Sequence, residues 1–340
     1  MTSSLVPAIL NEYGAMTRAA LGKYLPTREP RRHLYDLVAD YPRRGGKMMR
    51  PSLCIAAARA FGASTDDALD TAVAIELLHN ALLIHDDIED GSEQRRGRPT
   101  LHAEHGIPLA LNAGDALTLV SLRPLIATRD RLGGEVAMHI IEETERMALA
   151  SAEGQALELG WREDNVLDLD DADYLEMVLK KTCWLATIYP VRVGAIIGTR
   201  RAVELDSFMR FGFFLGATFQ IQDDLLNLVA DQSYGKERDG DLWEGKRTLM
   251  LIRLFRESPP SDRDRLTAIM RTDRADRNLA DVCWIRAQMD RHGCIEYARR
   301  YAHRLAGVAL HEYSVAFSHL PDSRDKRFLE EMVTWVVERN

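Results

Sequence analysis

Cysteine is scarce: four in 340 residues, Cys54, Cys183, Cys283 and Cys294, with no paired metal-ligand spacing. That argues against a disulfide framework or a cysteine-built metal site, and fits reduced, mostly buried thiols in a cytoplasmic protein. A surplus of positive charge is also missing. The 44 Lys and Arg are outnumbered by 52 Asp and Glu, and the net charge of −8 is spread along the chain. General affinity for nucleic acid is therefore not expected, and any basic site must be local. The N-terminal Met1-Thr2-Ser3-Ser4-Leu5-Val6-Pro7 lacks the basic region and long apolar core of a signal peptide. No apolar stretch is expected to span a membrane, since charges interrupt every long one. No Gly/Ser/Pro linker, short-period repeat or useful length of strand alternation is present. What remains is 46% apolar content, ample for a core, and the expectation is one all-α domain over residues 1–340.

Apolar residues recur at helical spacing along most of the chain. Helices are expected at about 7–24, 32–40, 47–61, 66–90, 107–128, 133–159, 171–199 and 203–231. Four amphipathic segments follow, at about 247–257, 260–290, 293–318 and 322–338. Ser64-Thr65-Asp66-Asp67 reads as an N-terminal cap for the helix over 66–90. The segments 91–100, 161–173 and 231–246 read as connections, the last long enough to carry function.

The helix over 66–90 ends in His85-Asp86-Asp87-Ile88-Glu89-Asp90. Helical spacing puts Asp86, Asp87 and Asp90 within one turn on one face, with Glu89 pointing off it. An isolated cluster of this kind is equally what a solvated acidic helix end looks like. The pattern recurs 137 positions later as Asp223-Asp224-Leu225-Leu226-Asn227, again ending an apolar helix. Two facing helix ends rich in carboxylates suit Mg²⁺ ions shared around a polyphosphate. Asn227 keeps an oxygen ligand at lower charge, so weaker metal binding is expected on that side.

Basic residues cluster near these ends. Lys47 and Arg50 open a helix after Gly45-Gly46, and Arg95 and Arg96 follow Asp90 by five and six residues. Lys181 lies mid-helix, Lys236 and Lys246 flank the loop after the second acidic end, and His79 stands two turns above Asp86. The grouping points to two anion subsites, one bridged through metal by carboxylates and one bound directly by Arg and Lys.

The strings GGKMMRP, ELLHNALLIHDDIED, RRGRPTLH, GQALEL, KKT, FQIQDDLLN and GKERDGDLWEGKRTL resemble, in order, the motifs of trans-type isoprenyl diphosphate synthases. They are most like those of geranylgeranyl diphosphate synthases. The resemblance implies a bundle of long antiparallel helices around a central apolar cavity, a homodimer, and three Mg²⁺ ions with the allylic substrate bound. By the same resemblance Asp86, Asp87, Asp90, Asp223 and Asp224 hold the metal, with Asn227 standing where an aspartate is commoner. Arg95, Lys181, Lys236 and Lys246 would contact the allylic diphosphate, with Thr182 and Gln220 beside it. Lys47, Arg50, His79 and Arg96 would bind isopentenyl diphosphate.

The implied reaction is ionisation of an allylic diphosphate and attack by the double bond of isopentenyl diphosphate. The released pyrophosphate can accept the proton, so no nucleophilic Ser or Cys is needed. Leu82 and Ala81, four and five residues before the first motif, and Leu78 above them are expected to gauge product length. At about 1.5 Å rise per residue they lie roughly 6–12 Å above Asp86. Many short-chain members of the family carry bulky aromatics at the first two of these positions, so Leu82 and Ala81 imply by resemblance a C20 product, with C15 or with C25 and longer as alternatives. A class I terpene cyclase would share the fold, but would need no second diphosphate site and usually has an Asn/Ser/Glu second motif. A non-catalytic subunit of a heteromeric synthase remains the non-enzyme alternative.

Overall fold

The computed structural model describes residues 4–200, 204–229 and 239–339. The first half holds α1 (Leu5–Leu21), α2 (Asp36–Arg43), α3 (Met49–Ala60), α4 (Thr65–Asp90), α5 (Leu101–His105), α6 (Ile107–Leu132), α7 (Gly134–Glu163) and α8 (Asp171–Val178). After it come α9 (Tyr189–Thr199), α10 (Asp206–Val229), α11 (Gly240–Glu244), α12 (Leu249–Glu257), α13 (Pro260–Arg271), α14 (Leu279–Arg291), α15 (Cys294–Phe317) and α16 (Arg324–Glu338). The fold is all-α, as the sequence implies. Among the described residues the only strands are the two-residue β1 (Gln94–Arg95) and β2 (Arg98–Pro99).

The axis of the bundle is α4. Ser64 Oγ accepts from Asp67 N and Asp67 accepts from Ser64 N, a capping box that satisfies two end donors at once. Gly91, in the left-handed region at φ +62°, ends the helix directly after Asp90. Two core clusters meet on α4. Ile75 and Leu78 face the larger one with α3, α9 and α10, while Val73, Leu77, Ala81 and Ile84 face α6. Burying such side chains contributes roughly 1.5–3 kcal/mol each, which fixes the helix and therefore its acidic end. Packing continues through α3 against α9 and α10 against α15.

Several boundaries differ from those the sequence implies. The helix expected to end near 159 continues to Glu163, because Glu158 and Arg162 keep the helical spacing past Trp161. Residues 171–199 form one rod, but Leu179–Ile188 within it is a π-helix, whose wider turn is often found at functional sites. The expected single helix over 260–290 is broken between α13 and α14. There the Arg277 side chain donates to the carbonyls of Leu242, Trp243 and Thr272, and Asn278 caps α14. By length and hydropathy alone α4 and α6 could each cross a membrane, although charged residues such as Glu76 in α4 and Asp115 and Arg123 in α6 interrupt both. Two thirds of the α4 window is buried within the protein, against 44% for α6. The exposed stripe Ile107, Leu111, Leu119, Leu122 and Ile126 accounts for the difference. Of the cysteines, Cys54, Cys183 and Cys294 are buried and Cys283 is exposed, all as free thiols.

Candidate active site

The three carboxylates ending α4 fall within about 100° of helical arc, Asp90 between Asp86 and Asp87, and they differ in burial and partners, although Arg95 reaches both Asp86 and Asp87. Asp86 lines a cavity of about 710 Å³, 3.5 Å from both Lys181 Nζ and Arg95 Nη2. Asp87 is fully buried, accepting from Tyr41 Oη at 2.5 Å and from Arg95 Nε at 2.9 Å. Asp90 is paired with Arg162 at 2.5 Å and Lys246 at 2.8 Å. Glu89, set off the metal face by its spacing, lies at the cavity wall, where Gln155 donates to it.

The end of α10 forms the facing wall. Asp223 and Asp224 both line the cavity. Asp224 accepts from Tyr174 Oη at 2.8 Å and Gln220 Nε2 at 2.6 Å. Burial outweighs those hydrogen bonds, and with Asp223 and Glu158 adding repulsion its pKa is pushed up to about 7. Asn227 is not aimed into the cavity: its Oδ1 accepts the Asp241 backbone N–H at 3.1 Å. That bond seats the start of α11 and so carries Lys246 back toward Asp90. Thr182 Oγ1 donates to Gln220 Oε1 at 2.8 Å, and both line the cavity between the acidic ends.

A basic group occupies another part of the wall. The connection expected over 91–100 contains a two-residue β-hairpin, β1 paired with β2. Its turn residues Arg96 and Gly97 both have positive φ, +55° and +73°, the requirement of a type I′ turn. The turn splits two adjacent arginines. Arg95 goes to Asp87, while Arg96 Nη1 donates to Tyr41 O and to Asn80 Oδ1. Arg50 and His79 line the wall with Arg96. The Arg50 Nε is buried with no hydrogen-bond partner among the described residues, and burial pulls its pKa down to about 10. Burial, reinforced by the Arg50 charge, pushes His79 down to about 4 despite Glu76 beside it, so His79 is a neutral donor near pH 7. A buried, incompletely satisfied guanidinium in a cavity fits an anion.

Not every expected residue joins the site. Lys47 is exposed, its Nζ 5.9 Å from the Trp335 ring centroid, and it does not line the cavity. Lys236 lies outside the described residues. The α4 residues in the apolar wall are Leu82 and Leu83. Ala81 is fully buried in the cluster facing α6, and Leu78 packs into the larger core, so neither lines the cavity. This corrects the expectation that Ala81 and Leu78 form the gauge: their helical faces are already filled. The cavity measures about 710 Å³, and Ala152, Ala156, Leu159, Leu185 and Phe219 extend its apolar wall.

Among the described residues no three Asp, Glu, His or Cys side chains converge as a ready metal site. Asp87, Asp90 and Asn227 are committed to Tyr41, Arg95, Arg162, Lys246 and a backbone amide instead. The donor chemistry still fits a hard divalent cation. Asp86, Asp223 and Asp224 offer oxygen to one cavity, and burial, with a smaller addition from Asp223 and Glu158, disfavours the Asp224 charge that a bound cation would stabilise.

Several residues of the site carry no local signal in the sequence. Tyr41 and Tyr174 reach their aspartates from 46 and 50 positions away. Arg339, near the C-terminus, stacks on Phe219 at 4.1 Å and lies 3.5 Å from Asp223. Arg162 was legible only by extending the helical spacing from Glu158.

A family model described as polyprenyl synthetase matches residues 31–285. A short chain isoprenyl diphosphate synthase of Methanothermobacter thermautotrophicus is 34% identical over 296 residues, 87% of each chain. Among solved structures, geranylgeranyl pyrophosphate synthetase from Pyrococcus horikoshii superimposes with a TM-score of 0.86 at 30% identity, covering 98% of both chains. A polyprenyl synthase from Caulobacter crescentus, complexed with calcium and isoprenyl diphosphate, gives 0.85 at 26% identity, covering 100% of this chain and 99% of its own.

Proposed function

The chain belongs to the polyprenyl synthetase family as a trans-type isoprenyl diphosphate synthase, and from that premise we propose the reaction and the roles of its residues. It elongates an allylic diphosphate by head-to-tail condensation with isopentenyl diphosphate, releasing pyrophosphate and yielding C20 geranylgeranyl diphosphate. One observation carries this reading. Two acidic helix ends and a separate basic group, Arg50, His79 and Arg96, open into a single cavity with an apolar wall.

Asp86, Asp223 and Asp224 are the carboxylates placed to hold Mg²⁺. When bound, Mg²⁺ would neutralise the allylic diphosphate and stabilise the charge developing on the leaving pyrophosphate. Lys181, Lys246 and Arg95 add fixed positive charge on the same side. Arg50 and Arg96 hold isopentenyl diphosphate by charge, with His79 as a neutral donor. Thr182 and Gln220 fix the polar floor between the two acidic ends, while Leu82, Leu185 and Phe219 exclude water from the allylic cation. The small Ala152 and Ala156 in the wall favour C25 as the second reading. The same reading takes the chain as one catalytic domain, since α16 packs against α1 and α3.

A homodimer belongs to this proposal, with the exposed apolar stripe of α6 as its interface; a monomer mass by light scattering would contradict it. The enzymatic test incubates the purified protein with Mg²⁺, isopentenyl diphosphate and each allylic diphosphate, then sizes the products. A linear C20 diphosphate is expected. Cyclic hydrocarbon, or turnover only after adding a second protein, would overturn the reading.

A further inference from the structure

Glu158 is a buried carboxylate to which the reaction described above gives no task. It stands on α7, 5% exposed, and lines the cavity. Lys181 Nζ donates to its Oε1 at 2.8 Å, and the same nitrogen is 3.5 Å from Asp86 Oδ1. Lys181 thus lies between two carboxylates and is held closer to Glu158. The surroundings of Glu158 also include Asp224 from α10 and Arg247 from the segment after α11, both of which feel its charge.

A structural ion pair joining α7 to the π-helical segment would need neither member in the cavity wall. Both are there. The contact is also set by backbone geometry: a Cβ on Gly154 would fall 2.1 Å from Lys181 N, so α7 and the π segment touch main chain to main chain. Glu158 follows Gly154 by one helical turn, on the side that meets Lys181. Removing the Glu158 charge would leave Asp86 as the carboxylate paired with the Lys181 ammonium, since a buried cation takes whatever carboxylate is in reach.

We propose that Glu158 is a positioning residue that competes with Asp86 for the Lys181 ammonium and holds it at the shorter distance. The weakened hold on Asp86 makes that carboxylate easier for a divalent cation to claim, with Lys181 kept beside the site for a diphosphate. This rests on the proposed prenyl transfer, because it assigns Asp86 to the cation and Lys181 to the allylic diphosphate.

The test compares wild type with Glu158→Gln and Glu158→Asp, each alone and combined with Lys181→Met. Mg²⁺ and pyrophosphate binding is measured by calorimetry, and the Mg²⁺ dependence of turnover in parallel. Glu158→Gln is expected to weaken Mg²⁺–pyrophosphate binding by about tenfold or more, the usual scale for loss of a residue orienting a metal site. Glu158→Asp should recover part of the loss, and in the Lys181→Met background Glu158→Gln should change little. Unchanged Mg²⁺ and pyrophosphate binding in Glu158→Gln, with only the melting temperature lowered, would overturn the proposal. So would an equal loss with and without Lys181. Should Glu158→Gln fail to fold, Glu158→Asp still reads the dependence on reach with the charge intact. Wild-type protein that binds Mg²⁺–pyrophosphate yet makes no prenyl product would sink the reaction while leaving the calorimetric test of Glu158 standing.

Discussion

A histidine in a phosphate site is usually credited with a positive charge, and His79 does not carry one. Its pKa lies at about 4 against an ordinary 6.5, through burial first and the Arg50 charge second. The folded protein therefore binds fewer protons at this position than the unfolded chain between those two values. Its contribution to stability is complete above pH 6.5 and is lost as the pH falls toward 4. The size is about 3 kcal/mol at 1.36 kcal/mol per unit. Urea unfolding of wild type and His79→Gln across pH 4–7 should show the wild type losing that much more over the window; parallel curves would contradict it. The same scale shows what spacing could and could not deliver. The repeated acidic pattern singled out Asp86, Asp87, Asp90, Asp223 and Asp224, with Asn227, because carboxylates at helix ends are visible in a string of letters. Which way Asp87 and Asp90 turn was not visible, because Tyr41, Arg162 and Lys246 decide it from distant positions.

Elements carry the site by close approach rather than by chemistry. The π-helical Leu179–Ile188 brings Lys181, Thr182 and Leu185 to the same cavity, and such wider turns are often found at functional sites. Its contact with α7 has no room for a side chain at Gly154, where a Cβ would meet backbone atoms of Lys180 and Lys181 within 2.7 Å. Backbone cannot rotate away as a side chain can, so Gly154→Ala must push the two elements apart. A loss of about 1–3 kcal/mol in unfolding free energy is expected, with a fall in kcat as Lys181 moves. Wild-type stability and kcat would contradict the packing described. Helical periodicity found the long helices well, since α4, α6 and α10 bury continuous apolar faces. It missed the type I′ hairpin at Arg96-Gly97, whose only sign was one glycine, and the break after α13, which depends on Arg277 reaching the carbonyls of another segment.

At the scale of the whole molecule, α4 separates two cores and presents a different row of residues to the cavity. Leu82→Phe fills cavity volume and is expected to shorten the product by one or more five-carbon units, read by sizing the product chains. Ala81→Phe instead forces a ring into a filled core, costing about 1–3 kcal/mol in stability. Shortening by Ala81→Phe at full stability, with none from Leu82→Phe, would reverse the assignment. The central claim is that one cavity holds two distinct diphosphate subsites, the acidic ends serving the allylic substrate and Arg50 with Arg96 serving isopentenyl diphosphate. Its most direct test is the pair of KM values for the two substrates in Arg50→Met, measured at saturating Mg²⁺ against wild type. A charge-assisted contact contributes about 1.5–3 kcal/mol, so KM for isopentenyl diphosphate should rise by about tenfold or more while KM for the allylic diphosphate stays near wild type. Equal increases in both, or an increase for the allylic substrate alone, would contradict the division of the site.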